Sequence, residues 1–417
     1  MGVVRGSLST IATGHEVRLS ATDASVADER ESRLRVMAGA AIAFMLFVAG
    51  FGLAWDIRWH IVVGRDTFFT PPHLLLYTGI AVAGLVCLGM VLAETWRYRQ
   101  GSPAVTSHTT TPFLGLFHAP VGFVVAGFGL LTLLLAAPLD NYWHELYGID
   151  VALWTPFHMM GMIGGFIAGL GTVHIFASEA ARARRRGRWR VRFMGFTGTE
   201  WAVLFTISML VAHLMVAAMP STNQFPTTII GPLEFLTYPV LLGMFLPAAG
   251  VAAIVATRRA GAASLVFALF FLRQFVFGVV VPWAVWWLIN GDPSQLRVVG
   301  WRPGINWVDL MYTALLLLPM VVIDLAAIAA RRPDKPRTLL PAVAGMAAAV
   351  PLLLVAPIAV RTAITGARQM QLPASIIVGG IPPLGALWQA VPITLVVSAL
   401  SALIGFGWGS FLRAYDK

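Results

Sequence analysis

The chain has 417 residues, of which 58% are hydrophobic and only 12% are charged. Soluble globular domains carry about 25% charged residues, so this composition excludes a soluble protein. The formal net charge of +10 does not indicate binding to nucleic acid, because the basic residues fall in short segments between long apolar runs, where they set the orientation of membrane helices.

The apolar runs predict an all-α protein, a polytopic transmembrane bundle of about ten helices. Residues 1–34 are polar and rich in serine and threonine, and we expect them to form a disordered cytoplasmic tail. We divide the rest into a four-helix part, residues 35–180, and a six-helix part of unassigned role, residues 200–412. The predicted helices cover residues 36–55, 73–94, 116–138, 157–178, 201–219, 232–255, 262–289, 308–330, 338–360 and 391–411.

Lysine and arginine predict the orientation of the bundle. With the N-terminus inside, the inner segments hold 22 of the 29 Lys and Arg residues, including the seven arginines from Arg182 to Arg192. This asymmetry follows the positive-inside rule. We therefore expect an integral protein of a bacterial plasma membrane, surrounded by lipid, with both termini in the cytoplasm and the loop after the first helix on the extracytoplasmic side.

That first outer loop carries a dense set of polar side chains. Asp56 and His60 are four residues apart, so on a helix they share one face. His73 follows a Thr-Pro step, and proline is favoured at the start of a helix. An outgoing and a returning helix would thus bring one carboxylate and two imidazoles together, at a depth where such groups are costly unless they have a function.

The same arrangement occurs a second time. Asp140, His144 and His158 repeat the first set about 85 residues later, with one extra residue before the last histidine. A helix precedes and a helix follows each copy. We interpret the first four helices as an internal duplication of two related hairpins, each with a metal-binding triad.

Three protein ligands with open coordination positions are typical of a reactive metal rather than a closed structural site. Imidazole suits copper, iron or zinc, and the ligand types alone do not choose among them. Asp66 and Asp150 each follow the first histidine of their copy by six residues, and we expect them to accept the outward N–H of a ligating imidazole. Trp59 and Trp143 would shield the metals from water, or else anchor the helices at the membrane interface.

Four further polar residues are candidates for a role beside the triads. His213 and Arg273 fall in the middle of predicted helices, where an unpaired polar group is costly, so we expect them to face the bundle interior. Glu234 and Asp309 fall near the outer ends of predicted helices, as extra ligands or proton relays. The outer segment 292–307, rich in tryptophan and proline, would cover the site.

These motifs resemble the C subunit of copper membrane monooxygenases, the family that includes particulate methane monooxygenase and ammonia monooxygenase. The resemblance rests on the Asp-x3-His-x12-His pattern of the first copy, with Arg-Asp-Thr at residues 65–67 and Phe-Thr-Pro-x-His at residues 69–73. It covers about residues 36–180. It implies one copper held by Asp56, His60 and His73.

The family's second copper position uses one asparagine and two histidines at x3 and x13 spacing. In this chain it falls on Asp140, His144 and His158, so an aspartate stands where the family has asparagine. The resemblance also implies partner subunits in the membrane or the periplasm. No periplasmic copper domain is present, and residues 200–412 have no counterpart that we recognise.

Three hypotheses for function remain open. The first is a membrane-embedded copper-dependent monooxygenase, or its metal-bearing subunit, which activates O2 to hydroxylate a small apolar substrate from the bilayer. The second is a metal transporter or copper-handling membrane protein, and the third is a non-catalytic scaffold subunit. Of these we favour the oxidoreductase.

Overall fold

The computed structural model describes residues 21–64, 67–148, 153–187, 192–330, 340–369 and 378–415. Within these ranges ten helical spans are long and apolar enough to cross a membrane, and the protein is an integral membrane bundle as predicted. The helices are α1 (Ala21–Val62), α2 (Pro71–Arg99), α3 (Val121–Tyr147), α4 (Pro156–Arg185), α5 (Gly198–Ala218), α6 (Pro220–Asn223), α7 (Thr237–Thr257), α8 (Ala262–Leu288), α9 (Trp307–Leu315), α10 (Leu317–Ala329), α11 (Leu340–Gln369) and α12 (Leu384–Ala414).

Two small antiparallel hairpins and some short helical segments lie among the long helices. Strands β1 (Thr111–Phe113) and β2 (Phe117–Ala119) pair between α2 and α3, and β3 (Thr227–Ile230) pairs with β4 (Leu233–Leu236) ahead of α7. Helix α6 is a single turn after α5, and α9 and α10 together form one span. Several helices extend past their predicted ends, because hydropathy detects the lipid-exposed part of a helix and not its polar ends.

The prediction of a disordered tail is wrong for residues 21–34, which form the first turns of α1; residues 1–20 lie outside the described residues. The charged side chains in this segment have partners in other helices. Asp28 pairs with Arg182 of α4 and with Arg186, which directly follows α4. Glu31 accepts from Arg97 of α2 at 2.9 Å. The polar sequence of this segment predicted exposure to solvent. Its charged side chains instead pair with charged side chains from other parts of the bundle.

A buried ion network holds α1, α2 and α4 together at the end of the bundle opposite Asp56. The Arg35 guanidinium donates two hydrogen bonds to the Glu94 carboxylate, at 2.6 Å from Nε and 2.7 Å from Nη2. Glu179 lies 3.8 Å from the Arg35 Nη1 atom and also accepts from the Ser32 hydroxyl. Arg35, Glu94 and Glu179 are all nearly fully buried.

The first four helices form two hairpins, α1 with α2 and α3 with α4, as the duplication predicts. Pro71 and Pro156 occupy the first helical position of the two returning helices. Helices α3 and α4 approach so closely that a Cβ on Gly129 or Gly171 would overlap the backbone of the facing helix. Small residues allow this approach, which is typical of membrane helix pairs.

The six later membrane spans pack against this four-helix unit. The Phe277 ring of α8 lies 5.2 Å from each of Phe47 and Phe51 of α1. The largest apolar cluster spans α4, α5, α7, α8, α10, α11 and α12. Helices α5 and α8 therefore contribute walls to any space enclosed by the first four.

The substitution Glu94→Gln should destabilise the bundle by about 3 kcal/mol or more, because removing one partner of a buried ion pair leaves the other charge uncompensated. Unfolding in mixed detergent micelles, followed by circular dichroism, measures the loss. Glu29→Gln is the matched control, since the Glu29–Arg33 pair lies within one helix with Arg33 75% exposed; it should cost under about 0.5 kcal/mol. Equal losses would show that the buried network contributes no more than a surface pair.

Candidate metal centres

The first triad lies where α1 ends and α2 begins. The Asp56 carboxylate on α1 places Oδ2 3.4 Å from His60 Nδ1 and Oδ1 3.0 Å from His73 Nε2. The two imidazole centroids are 6.1 Å apart. The carboxylate is buried and the imidazoles are 23% and 13% exposed. One carboxylate oxygen and one nitrogen from each ring thus converge on one point, within 4.8 Å of one another.

The second triad repeats this geometry between α3 and α4. The Asp140 carboxylate lies 3.3 Å from His144 Nε2 through Oδ2 and 3.4 Å from His158 Nε2 through Oδ1. The imidazole centroids are 5.9 Å apart. The predicted duplication therefore extends to the side chains. The copies differ in one respect: His60 turns Nδ1 toward its aspartate, whereas His144 turns Nε2.

Each triad carboxylate has one buried oxygen without a well-aligned hydrogen bond. Among the described residues, no donor meets the buried Asp56 Oδ1 or Asp140 Oδ1 atom with good hydrogen-bond geometry. Asp56 Oδ1 nevertheless lies 3.0 Å from His73 Nε2, and Asp140 Oδ1 lies 3.4 Å from His158 Nε2. Buried acceptors without a donor are costly, and an ion placed between the oxygen and nitrogen atoms would satisfy both. The donor set and these oxygens fit a metal.

The outward nitrogen atoms of two histidines are held by backbone carbonyls. His73 Nδ1 lies 3.0 Å from the Thr67 oxygen, and His144 Nδ1 lies 3.1 Å from the Gly148 oxygen. An imidazole that donates from Nδ1 keeps the Nε2 lone pair for a metal, so these contacts fix the ligating tautomer. Asp66 and Asp150, predicted for this role, lie outside the described residues.

The Thr67 carbonyl is itself fixed by Thr70. The Thr70 hydroxyl donates to the Thr67 oxygen at 2.8 Å and accepts from the Thr67 N–H at 2.9 Å. The threonine of the Thr-Pro-x-His element thus orients His73 through one intermediate carbonyl. In the second copy, Thr155 occupies the same position, but its buried hydroxyl has no hydrogen-bond partner in the described part of the chain.

The two tryptophans do not shield the metals in the predicted way. Trp59 is buried among Val62, Val285 and Ile289, between α1 and α8. Trp143 packs on Tyr147 and Phe157. Adjacent residues on a helix point in different directions, so a residue next to a ligating histidine does not share its face. Of the aromatic rings near the second triad, Phe157 lines the enclosed space instead.

One cavity of about 530 Å³ is lined by all six triad residues. Its walls are otherwise mainly apolar and come from α1 to α5 and α8. Small residues on α4 let α5 side chains pack closely beside this space: a Cβ on Gly165 would overlap the His213 ring, and one on Gly169 would overlap Leu210. The two triads thus share one apolar chamber.

His213 and Arg273 both face the bundle interior as predicted, and both line this cavity. His213 Nε2 donates to the Met162 carbonyl oxygen at 2.6 Å. The Arg273 guanidinium lies 4.2 Å from the centre of the Phe277 ring and donates to the Gln274 amide oxygen at 2.8 Å.

Glu234 and Asp309 are not brought to the triads, so their prediction as extra ligands or relays at this site is wrong. Glu234 lies on β4, because the β3–β4 hairpin delays the start of the next helix to Thr237. Asp309 lies in the first turn of α9. Its N–H donates to the Asn306 amide oxygen, and its carboxylate accepts from the Asn306 amide nitrogen. Neither residue lines the cavity.

The outer segment after α8 does reach the site, as predicted, through a residue that sequence reasoning did not single out. The Arg297 N–H donates to the Val62 carbonyl at 2.9 Å, and its guanidinium donates to the His60 carbonyl at 3.3 Å. Gly64 has a φ of +77°, and a Cβ there would overlap the Arg297 side chain. Gly64 therefore leaves room for this arginine.

No protein-family profile, curated protein or solved structure matches the chain.

Thr70→Val should weaken metal binding at the first triad about 10- to 100-fold, because the carbonyl that orients His73 loses its hydroxyl partner. The measurement is a copper titration against a competing chelator, made in a His144→Ala background that removes a ligand of the second triad. Thr155→Val, tested in a His60→Ala background, is the matched control. Its hydroxyl has no hydrogen-bond partner in the described residues, so its loss should leave affinity unchanged. Equal effects would show that the Thr67 carbonyl does not position His73.

Proposed function

We propose that the chain is a membrane-embedded copper-dependent monooxygenase, or its metal-bearing subunit, which hydroxylates a small substrate with an apolar reacting end. The observation that carries this proposal is the pair of Asp-His-His triads on one apolar cavity. Each triad offers three ligands and leaves coordination positions free, which is the arrangement of a reactive metal. The resemblance to copper membrane monooxygenases, on the same six residues, selects copper over iron or zinc.

Bound copper would supply the one-electron redox chemistry that activates O2. The protein's own groups fix the ligand geometry: Asp56 and Asp140 hold both histidines of their triads, and the Thr67 and Gly148 carbonyls hold the tautomers of His73 and His144. The leucine, alanine and glycine residues of the walls reduce the polar surface around the triads, and a drier site would limit side reactions of an activated oxidant.

The reaction would insert one oxygen atom of O2 into a C–H bond and release the other as water. Two electrons and two protons from an external donor complete the balance. Electron supply would require a partner, such as an additional membrane or periplasmic subunit. The positive-inside rule favours the extracytoplasmic side of a bacterial plasma membrane for the triads.

Transport of the metal through the bundle is the competing proposal, and two features count against it. Arg273, a fixed cation, lines the same cavity midway along α8, and a cation on the path opposes passage of a metal ion. At the inner end, α1, α2 and α4 are held by the buried Arg35 network. Metal uptake into proteoliposomes would favour transport.

His60→Ala and His144→Ala should each remove about one copper ion per chain, and the double variant should remove both, since each loses an imidazole ligand. Elemental analysis of the purified protein measures the content. His108→Ala, in the exposed loop before β1, is the control and should retain both ions. Unchanged metal content in the double variant would refute the metal sites and with them the proposed enzyme.

Chelation should abolish O2 consumption by membranes that contain the protein and an electron donor, and added copper should restore it. An oxygen electrode provides the measurement. Zinc has no redox chemistry and should occupy the triads without restoring consumption. Full restoration by zinc would contradict the monooxygenase, and metal binding without any O2 consumption would favour the scaffold.

A further inference from the structure

Arg273 of α8 places a guanidinium inside the membrane-spanning bundle. Among the described residues no carboxylate forms an ion pair with it; its contacts are the Phe277 ring and the Gln274 amide. By contrast, Arg35 of α1 is matched by Glu94. Intramembrane charges without a partner are costly and mark ligand or ion sites.

The guanidinium lies deeper in the bundle than the metals would. A Cβ on Gly50 of α1 would come within 2.7 Å of Arg273 Nη2, so the guanidinium rests against α1 at that residue. Gly50 precedes Asp56 by six residues, which corresponds to about 9 Å along a helix. Because residues from both levels line the same cavity, the chamber has triads at one end and a cation at the other.

The charges of the cavity favour an anion once metal is bound. Asp56 and Asp140 contribute two negative charges and Arg273 and Arg297 two positive ones, so these lining side chains sum to zero. Two bound metal ions would then leave the chamber with a net positive charge. A ligand with one anionic group would offset part of that charge in a medium of low dielectric constant, where the interaction is strong.

We propose that Arg273 binds the carboxylate of a short amphiphilic acid whose apolar end extends to the metal triads. A planar guanidinium matches a carboxylate with two parallel hydrogen bonds. The walls include residues such as Leu53, which lies between Gly50 and Asp56 on α1, and Ile80 of α2; both suit an alkyl chain. This proposal rests on the proposed function for the role of the apolar end, whose C–H bonds would be the ones presented for hydroxylation.

Calorimetric titration of the copper-loaded protein with hexanoate tests the proposal, with hexanol as the neutral ligand of similar shape. Hexanoate should bind and Arg273→Gln should weaken it on the order of thirtyfold or more, as expected for truncating a buried charge pair. Arg273→Lys keeps the charge and should recover part of the affinity. Hexanol should bind weakly to all three proteins.

Arg302→Gln is the matched control, since Arg302 contacts the Trp286 ring and does not line the cavity; its hexanoate affinity should equal that of the unmodified protein. Elemental analysis of Arg273→Gln should show unchanged copper. Equal binding of hexanoate and hexanol, or an unaffected Arg273→Gln, overturns the anion site even if both triads hold copper. If the triads hold no metal but hexanoate binding still depends on Arg273, the proposed function fails and the anion site stands.

Discussion

The cost of placing charge inside a bilayer organises this protein. Arg35 and Asp56 are 21 residues apart on α1, about 31 Å of helix axis, which matches the thickness of the hydrocarbon core. The charged groups of α1 are thus concentrated at its two ends. At one end arginines and glutamates neutralise one another within the protein. At the other end each aspartate faces two imidazoles.

The two ends depend on each other through the hairpins. The Arg35 network fixes α2 and α4 against α1, and the first turns of α2 and α4 carry His73 and His158. A helix is stiff along its axis, so its inner contacts set the height at which its first turn meets the outgoing helix. The close glycine contacts of α3 with α4 do the same for the second copy. Metal geometry is therefore a property of whole helices rather than of two loops.

The sequence predicted the membrane bundle and both triads because these features are local or periodic. Asp56 and His60 share a helix face by their spacing alone, and a Thr-Pro step marks the start of each returning helix. What it could not predict depends on contacts between distant segments. Arg297 reaches His60 from 237 residues away, and the start of α1 is stabilised by charges on α2 and α4. The β3–β4 hairpin, which removes Glu234 from the site, looked like the beginning of an apolar helix.

The two histidines that follow the aspartates differ in the ring nitrogen that they present, Nδ1 in His60 and Nε2 in His144. The duplicated sequence thus does not give two triads with identical arrangements. Ligand atom and hydrogen-bond partner both tune a metal's reduction potential. Two metal ions bound in this cavity would therefore have unequal reduction potentials and distinguishable spectra. One ion could be reduced while its neighbour stays oxidised. A duplicated hairpin would thus give a single chain two metal sites with different redox properties.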